Sequence, residues 1–511
     1  MSFDPLLEEL AARRRAALKM GSEKRLAERA AAGILNARQR VEYLLDAGSF
    51  RELGLLATAI RSEVRDKCPA DGKISGFGSI ADRPVALVSN DFTSLGASSS
   101  VVNGKKIRHA KELATRHGMP LILLGESSGA RLPDRMGAQG RATMGSDPAE
   151  YLRDRTTPWV SALLGSCYGS STWYACLSDI VVMRKGATMA VASGRVTKVA
   201  VGQSVEAEEL GGWRMHATTT GLVDLVVDTD EQALDAIKRV LSYLPSHNGE
   251  APPAAEVPPG SDKAMADVLT VVPEQRTKVY DSREVVRRLL DQGSMLELKE
   301  RFGRSIATVL GRIGGRSVGV IANNPLFRGG AIDVDAMAKA TSFIVLCDSF
   351  NLPLVLLVDQ PGFLIGVEGE QRGAPGRIMN WMQALQLASV PRITITMRKN
   401  YGQAFLNMGG GRNSDISAAW PTADFGFMDP ATAVGVLHGD KVKEEPERFQ
   451  ELVSEISKES APWPLAGLYE SHSVIDPRDT RKFIKNALRI CSDGPRNGVG
   501  LHRLSTWPTS Y

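Results

Sequence analysis

The chain has 511 residues, of which 43% are hydrophobic and 23% are charged, and its formal net charge is +4. This balance is typical of a soluble globular enzyme of about two to four domains, and the charge is too small to indicate a nucleic-acid partner. Five cysteines without a C-x-x-C pair, and no run near the roughly 18 apolar residues of a membrane span, lead us to expect a cytoplasmic protein with no metal site and no membrane contact.

Predicted strands and helices alternate along both halves of the chain. In the first half, an apolar strand at 83–91 precedes a helix at 102–118 and a proline-led strand at 120–124, and the apolar segment at 157–165 runs into Tyr168-Gly169. The second half repeats this order before Tyr401-Gly402, with segments at 316–324, 335–351, 353–357 and 390–398. The alternation predicts an α/β fold with layered sheets and helices outside them.

The two halves are tandem copies of one domain. A constant offset of 233 residues matches Pro120 with Pro353, Gly129 with Gly362, Pro158 with Pro391, Tyr168 with Tyr401 and Gly169 with Gly402. Further out the offset becomes 245, which matches Asp46 with Asp291 upstream, and Asp179 and Met183 with Asp424 and Met428 downstream. The change of 12 predicts an insertion before the strands of the first copy and another after the Tyr-Gly turn of the second.

A stretch rich in proline, alanine and glycine separates the copies. It reads SHNGEAPPAAEVPPGSD over residues 246–262, a composition typical of a linker. We therefore predict an N-terminal domain at 1–250, a linker at 251–262 and a C-terminal domain at 263–511.

The matched loops YGSST (168–172) and YGQAF (401–405) are candidate oxyanion sites. A glycine at a strand end lets successive backbone N–H groups point outward, and convergent N–H donors stabilise negative charge on a carbonyl oxygen. Because only the N–H is required, Ser170 and Gln403 are acceptable at these positions. The alternative is a pair of ordinary tight turns.

Several motifs resemble the carboxyltransferase (beta) subunit of biotin-dependent acyl-CoA carboxylases, of the propionyl-CoA carboxylase type. They are VEAEELGGWRMHATTTGLVD (205–224), DGKISGFGSI (71–80), DQPGFLIG (359–366), AAWPTADFGFM (418–428) and DPRDTRKFIKNAL (476–488). The resemblance implies two crotonase-like (ClpP/crotonase superfold) domains, the first for a coenzyme A thioester and the second for carboxybiotin. It also implies an active site between the first half of one subunit and the second half of another, and a hexamer built as a trimer of dimers. The implied partners are a biotin carboxylase and a biotin carboxyl carrier.

The resemblance also assigns residues. It implies that Gly169 and Ser170 bind the thioester enolate and that Gln403 and Ala404 bind the ureido oxygen of biotin. The other residues assigned to the acyl-CoA are Tyr168, Gly129, Ala130, Arg131, Phe405 and Leu406. Those assigned to biotin are Gly362, Phe363, Tyr401 and Gly402. By the same resemblance, biotin itself takes the α-proton.

Departures from the family pattern leave the acyl group open. Ser170 and Gln403 stand where glycines are usual, and Gln403 would be strained if it required a positive φ. Leu406 is apolar where several short-chain enzymes have Asp, which favours a different acyl group. Arg131 either meets a coenzyme A phosphate or pairs with Asp134. The alternative functions are biotin-linked decarboxylation of a malonyl-type CoA and a non-catalytic scaffold of a carboxylase complex.

Overall fold

The computed structural model describes residues 3–142, 144, 149–439, 442, 444–492 and 496–508. The chain divides into two compact units, Met1–His247 and Asn248–Tyr511. Residues 251–262 belong to the second unit, where the Ala255 N–H donates to the Gly315 carbonyl at 2.9 Å. The domain and linker bounds given above stay a prediction.

The first unit is built on an eight-stranded mixed sheet in the order β1-β2-β3-β4-β5-β6-β8, with β7 paired to β5. The β1–β2 and β2–β3 pairs are antiparallel and the other pairs are parallel. The strands are β1 (Arg51–Leu53), β2 (Lys73–Ile80), β3 (Arg83–Asn90), β4 (Leu121–Ser127), β5 (Trp159–Tyr168), β6 (Ile180–Arg184), β7 (Thr188–Ala190) and β8 (Leu225–Val227). Because β4 and β5 are parallel neighbours, their carboxyl ends lie on the same side of the sheet.

Eleven α-helices accompany this sheet in the described part of the first unit. They are α1 (Asp4–Leu18), α2 (Glu23–Ala31), α3 (Ala37–Leu44), α4 (Val101–His117), α5 (Leu132–Arg135), α6 (Gly137–Ala142), α7 (Ser170–Leu177), α8 (Gly194–Val201), α9 (Ala207–Gly211), α10 (Trp213–Thr218) and α11 (Asp230–Leu241). Helix α4 begins at a capping box, in which Ser100 and Asn103 bond each other's backbone N–H, and ends at left-handed Gly118.

The second unit repeats the sheet as β14-β13-β12-β11-β10-β9, with β15 paired to β13. Its strands are β9 (Leu296–Leu298), β10 (Ile306–Ile313), β11 (Arg316–Asn323), β12 (Leu354–Gln360), β13 (Arg392–Tyr401), β14 (Ile416–Ala419) and β15 (Asp424–Gly426). Its helices are α12 (Arg283–Leu289), α13 (Val334–Ser349), α14 (Val367–Gln371), α15 (Ala374–Leu387), α16 (Ala404–Asn407), α17 (Pro430–His438), α18 (Pro446–Glu459), α19 (Pro462–Gly467) and α20 (Thr480–Ser492). Strands β10 to β13 begin 233 residues after β2 to β5, as the repeat predicts.

Buried apolar side chains lie between each sheet and its helices. In the first unit Val88, Leu121 and Trp159 pack with Ile107 of α4, and in the second unit the cluster includes Val320, Val355, Ile393 and Trp420. Burying side chains of this size stabilises a fold by about 1.5–3 kcal/mol each. Strands β5 and β13, which end at Tyr168 and Tyr401, contribute side chains to these buried clusters. Among the described residues, no helix is both long and apolar enough to cross a bilayer.

The predicted insertion in the first copy is confirmed. Residues 54–72 connect β1 to β2, whereas residues 299–305 make the same connection in the second unit. The upstream match is also confirmed, because Asp46 accepts the N–H groups of Ala81 and Asp82 and Asp291 accepts those of Gly314 and Gly315. Both carboxylates cap the turn between two antiparallel strands.

The predicted downstream match of Asp179 and Met183 with Asp424 and Met428 is wrong. Asp179 precedes β6, and its carboxylate accepts the Trp159 N–H at 2.8 Å. In the second unit Asp415 precedes β14 and accepts the Arg392 N–H at 2.8 Å, so Asp415 is the equivalent residue. The second copy therefore gains three residues after its Tyr-Gly turn rather than 12. The sequence match failed because it relied on residue type: Asp179 and Asp424 are both aspartates, but Asp415 makes the equivalent hydrogen bond.

Lys73 is a buried lysine of β2 whose equivalent in the second unit is Ile306. Its Nζ donates to the Ala97 carbonyl at 3.0 Å, and burial lowers the pKa of Lys73 to about 7, although Asp71 opposes the shift. In the unfolded chain the pKa of a lysine is about 10.4. At pH values between these two pKa values, Lys73 binds more protons in the unfolded state than in the folded state. The free energy of unfolding therefore rises with pH over this range.

We predict that Lys73→Ile removes part of this pH dependence. Between pH 7 and pH 9 the free energy of unfolding of the wild type should rise by about 2 kcal/mol more than that of the variant. Urea titrations at both pH values measure the difference. Lys24→Ile, on the exposed surface of α2, is the control and should keep the wild-type rise; an unchanged rise in Lys73→Ile would contradict the prediction.

Candidate active site

Two backbone segments meet at the carboxyl ends of β4 and β5 in the first unit. We call residues 129–131 the glycine loop and residues 168–170 the tyrosine turn. Gly129 and Gly169 have φ values of +97° and +64°, a region that side chains disfavour. A Cβ placed on Gly169 would lie 3.6 Å from the Gly129 Cα, so the loop and the turn are in contact. Both glycines were predicted site residues, and the structure brings them together.

The glycine loop and the tyrosine turn each present a backbone N–H without a protein acceptor among the described residues. Ser99 forms a parallel bridge with Ala130, in which the N–H groups of Ser99 and Arg131 are used and that of Ala130 is not. Ser170 is the first residue of α7, so its N–H has no partner within the helix. Two available donors at one sheet edge are what an oxyanion site requires.

The second unit repeats this arrangement with residues 362–364 as glycine loop and 401–403 as tyrosine turn. Ile332 bridges Phe363 and uses the N–H groups of Ile332 and Leu364, which leaves the Phe363 N–H without an acceptor in the described part of the chain. The same holds for the N–H groups of Gln403 and Ala404. The duplicated sequence thus produces the same backbone geometry twice.

Gln403 has ordinary helical dihedrals, φ −61° and ψ −26°. The left-handed residue of the turn is Gly402, with φ +62°, so Gln403 carries no strain. Its side chain is exposed.

Tyr401, the first residue of the second tyrosine turn, is held in place through its side-chain hydroxyl. Its hydroxyl donates to the Asp424 carboxylate at 2.7 Å and accepts from Arg276 at 3.1 Å. Burial, followed by the bond to Asp424, raises the pKa of Tyr401 far above its ordinary value. The phenol therefore stays neutral and supports the position of Gly402. Tyr168, the equivalent in the first unit, is also buried.

Arg131 does not face solvent. Its side chain is 5% exposed, and its guanidinium donates to the fully buried Asp71 carboxylate at 2.7 Å and contacts Ser98 and Cys68, while Asp134 lies at 3.6 Å. Asp71 comes from the inserted segment 54–72. Arg131 thus links the inserted segment to the glycine loop through its ion pair with Asp71. Because the guanidinium is already paired, this contact disfavours binding to a phosphate.

Phe405 and Leu406 follow the second tyrosine turn on α16. The Phe405 ring packs edge-on against Phe425, with ring centroids 6.3 Å apart, and it covers Gly410. Leu406 is partly buried. Their assignment to an acyl pocket stays a prediction.

A cavity of about 490 Å³ opens beside the first pair of amides. Ala130, Gly169 and Ser170 are among the residues that line it. Its wall also carries four cationic side chains, which the sequence analysis missed, together with one carboxylate and aromatic rings: Lys105, Arg108, Arg135, Arg141, Glu150, Tyr151, Trp173 and Tyr174. The spacing of Lys105 and Arg108 on one turn of α4 was a signal in the sequence.

The sheets and the doubled amide loops define a duplicated crotonase-like protein. The family model for the carboxyl transferase domain matches residues 28–503. The propionyl-CoA carboxylase carboxyltransferase subunit of Haloferax mediterranei is 36% identical over 504 residues, which cover 96% of both chains. The methylmalonyl-CoA decarboxylase subunit alpha of Propionigenium modestum is 31% identical, over 92% of both chains.

A solved structure supports the same assignment. The transcarboxylase 12S hexamer core, with methylmalonyl-coenzyme A bound, superposes with a TM-score of 0.89 at 32% identity and covers 96% of both chains. The chain belongs to the carboxyl transferase family. The resemblance and the duplicated fold predicted from the sequence are confirmed.

Proposed function

We propose that the chain is the carboxyltransferase subunit of a biotin-dependent acyl-CoA carboxylase. It moves a carboxyl group from carboxybiotin, on a partner carrier, to the α-carbon of an acyl-CoA. The observation that carries the proposal is the repetition of the amide pair. Carboxyl transfer develops negative charge on two oxygens, one on the thioester and one on the biotin ureido group, and each unit offers one site for such an oxygen.

In the first unit, the Ala130 and Ser170 N–H groups bind the thioester oxygen. When the α-carbon loses its proton, the charge passes to this oxygen, and donors already in place stabilise it without reorganisation. The α-carbon of the enolate would then bond to the transferred carboxyl carbon as the bond from that carbon to the biotin nitrogen breaks, leaving the electron pair on the ureido group. Gly129 and Gly169 keep side chains away from the oxygen.

In the second unit, the Phe363, Gln403 and Ala404 N–H groups suit the ureido oxygen of biotin, because neutral N–H donors match an oxygen acceptor that gains charge. Carboxybiotin supplies the carboxyl group and the nitrogen that takes the α-proton. The chain's own residues hold the ureido oxygen, and Gly362 and Gly402 leave room for it.

The cationic wall of the cavity suits the phosphates of coenzyme A. We predict that Lys105→Ala and Arg141→Ala each raise the KM for acyl-CoA about tenfold and change kcat little, because each loses one charge-assisted bond to phosphate. Both side chains are exposed, so folding should be unaffected. Steady-state kinetics at low ionic strength measure the change. Arg448→Ala on α18 is the control, and an unchanged KM in both variants would contradict the prediction.

Decarboxylation of a malonyl-type CoA is the second candidate, favoured by the similarity to the Propionigenium modestum subunit. Reconstitution with a biotin carboxylase and a biotinylated carrier distinguishes the carboxylase from the decarboxylase. Incorporation of labelled bicarbonate into an acyl-CoA with ATP supports the carboxylase. Release of CO₂ from a malonyl-type CoA in the complex, without ATP and with no incorporation, supports the decarboxylase. If the complex shows neither activity with any short, branched or hydroxylated acyl chain, both candidate functions are refuted.

The proposal includes the assembly. We propose a hexamer, a trimer of dimers, that binds a biotin carboxylase and a biotin carboxyl carrier in the cytoplasm. The 12S core named above is a hexamer, and in the described part of this chain the five cysteines form no disulfide bond. Sedimentation at working concentration tests the hexamer, and a stable smaller species would refute it.

A further inference from the structure

In each unit, side-chain hydrogen bonds tie the glycine loop to the tyrosine turn, and different residues do so in the two units. In the first unit the tie runs through Ser99. Its backbone bonds the Gly129 carbonyl at 2.8 Å and the Arg131 N–H at 2.9 Å, on both sides of Ala130. Its Oγ lies 2.5 Å from the Oγ of Ser170. Ser99 is thus fixed to the glycine loop by its main chain and to the tyrosine turn by its hydroxyl.

The second unit lacks this hydroxyl pair. Ile332 stands in place of Ser99, and the Gln403 side chain in place of Ser170 is exposed. Instead, the side chain of Gln360, the last residue of β12, is fully buried between the two segments. Its Oε1 accepts the Gly362 N–H, and its Nε2 donates to the Tyr401 carbonyl at 3.1 Å and to Asn400 Oδ1 at 2.8 Å.

The residue equivalent to Gln360 in the first unit does not span the two segments. Ser127 Oγ accepts the Gly129 N–H at 3.1 Å and donates to the Ala97 carbonyl at 3.3 Å. Neither bond reaches the tyrosine turn. Each unit therefore has a tie of its own, from Ser99 to Ser170 in one and from Gly362 through Gln360 to Tyr401 in the other.

We propose that Ser99 and Gln360 are positioning residues that set the separation between the amide donors of the glycine loop and those of the tyrosine turn in their units. This inference rests on the proposed function. An oxyanion site acts only when its donors lie about 2.7–3.1 Å from the charged oxygen, and a misplacement of about 1 Å can cost 10²-fold in rate. The ties hold donors that come from two separate loops at a fixed distance.

The first test compares single and double variants of the serine pair. The assay measures the turnover of a malonyl-type CoA by the full-length chain, with free biotin as the carboxyl acceptor. Ser99→Ala and Ser170→Ala remove the same hydrogen bond, so each should lower kcat about tenfold, the double variant should lose no more than either, and the Kd for acyl-CoA should stay unchanged. Ser99→Thr, which keeps a hydroxyl, should restore kcat. Ser242→Ala, whose hydroxyl donates to the Arg239 carbonyl at 2.7 Å, is the control.

The second test addresses the other tie. Gln360→Glu keeps the shape and the acceptor but loses the donor to Tyr401, and it should lower kcat about 10–100-fold without changing the KM for the CoA thioester. The loss should multiply with that of Ser99→Ala, because the ties lie in different units. If the buried carboxylate of Gln360→Glu prevents folding, Gln360→Ala replaces it in the test. Gln450→Glu, on the exposed surface of α18, is the matched control.

The outcomes separate the two proposals. A wild type that turns over no CoA thioester refutes the proposed function. An active wild type whose Ser99→Ala and Gln360→Ala variants keep full kcat overturns the positioning role. Losses at Ser99 and Ser170 that multiply overturn it for the serine pair, because they indicate separate roles for the two hydroxyls.

Discussion

Replacing Ser170 by proline should lower kcat by about 10²–10³, the cost of losing one donor of an oxyanion site. Ser170 is the first residue of α7, a position where proline is favoured because the N–H it lacks has no helical partner. The substitution therefore removes the donor and leaves the helix. Gly169→Pro would be a poor test, because φ at Gly169 is +64° and proline requires about −65°.

Three comparisons make this result interpretable. Ser170→Ala keeps the N–H and loses only the hydroxyl, so its loss should be about tenfold. Glu23→Pro places proline at the first position of α2, on the surface, and should leave turnover unchanged. The KM and the melting temperature of Ser170→Pro should stay near wild type. Equal kcat values for Ser170→Pro and Ser170→Ala would contradict the role of the amide.

The parts of the fold that could be predicted from the sequence are those marked by identical residues at a constant offset. Glycines after matched strands predicted both tyrosine turns, because the backbone there needs the left-handed region. The same reliance on identity failed at Asp424, since hydrogen bonding rather than residue type defines the equivalent position. The exclusion of side chains from the turns followed from this local backbone chemistry.

The ties and the ion pair could not be predicted. Ser99 and Ser170 are 71 residues apart, Gln360 and Tyr401 are 41 apart, and Asp71 and Arg131 are 60 apart. Such contacts depend on how strands and loops pack, and nothing in the local pattern selects one serine or glutamine among many. Arg131 shows the consequence. Its neighbours in sequence suggested Asp134, whereas the shortest contact is to Asp71.

Replacing Arg131 by methionine should destabilise the first unit by about 3–5 kcal/mol, because it leaves the buried Asp71 carboxylate without its cation. Asp71 is held at φ +48° and also bonds Ser100 and the Asn103 N–H, so it cannot turn toward water without disrupting the start of α4. Calorimetry should show a lower melting temperature. Asp71→Asn in the Arg131→Met background should recover part of the loss, since no unpaired charge then remains.

This variant also separates the two roles that the sequence left open for Arg131. If the guanidinium only fastens the inserted segment, the folded fraction of Arg131→Met at low temperature should bind acyl-CoA with nearly the wild-type Kd. Arg141→Ala should show the opposite pattern, with a weaker Kd and an unchanged melting temperature. A tenfold weaker Kd with wild-type stability in Arg131→Met would mean that Arg131 meets the ligand and that the ion pair with Asp71 opens when acyl-CoA binds.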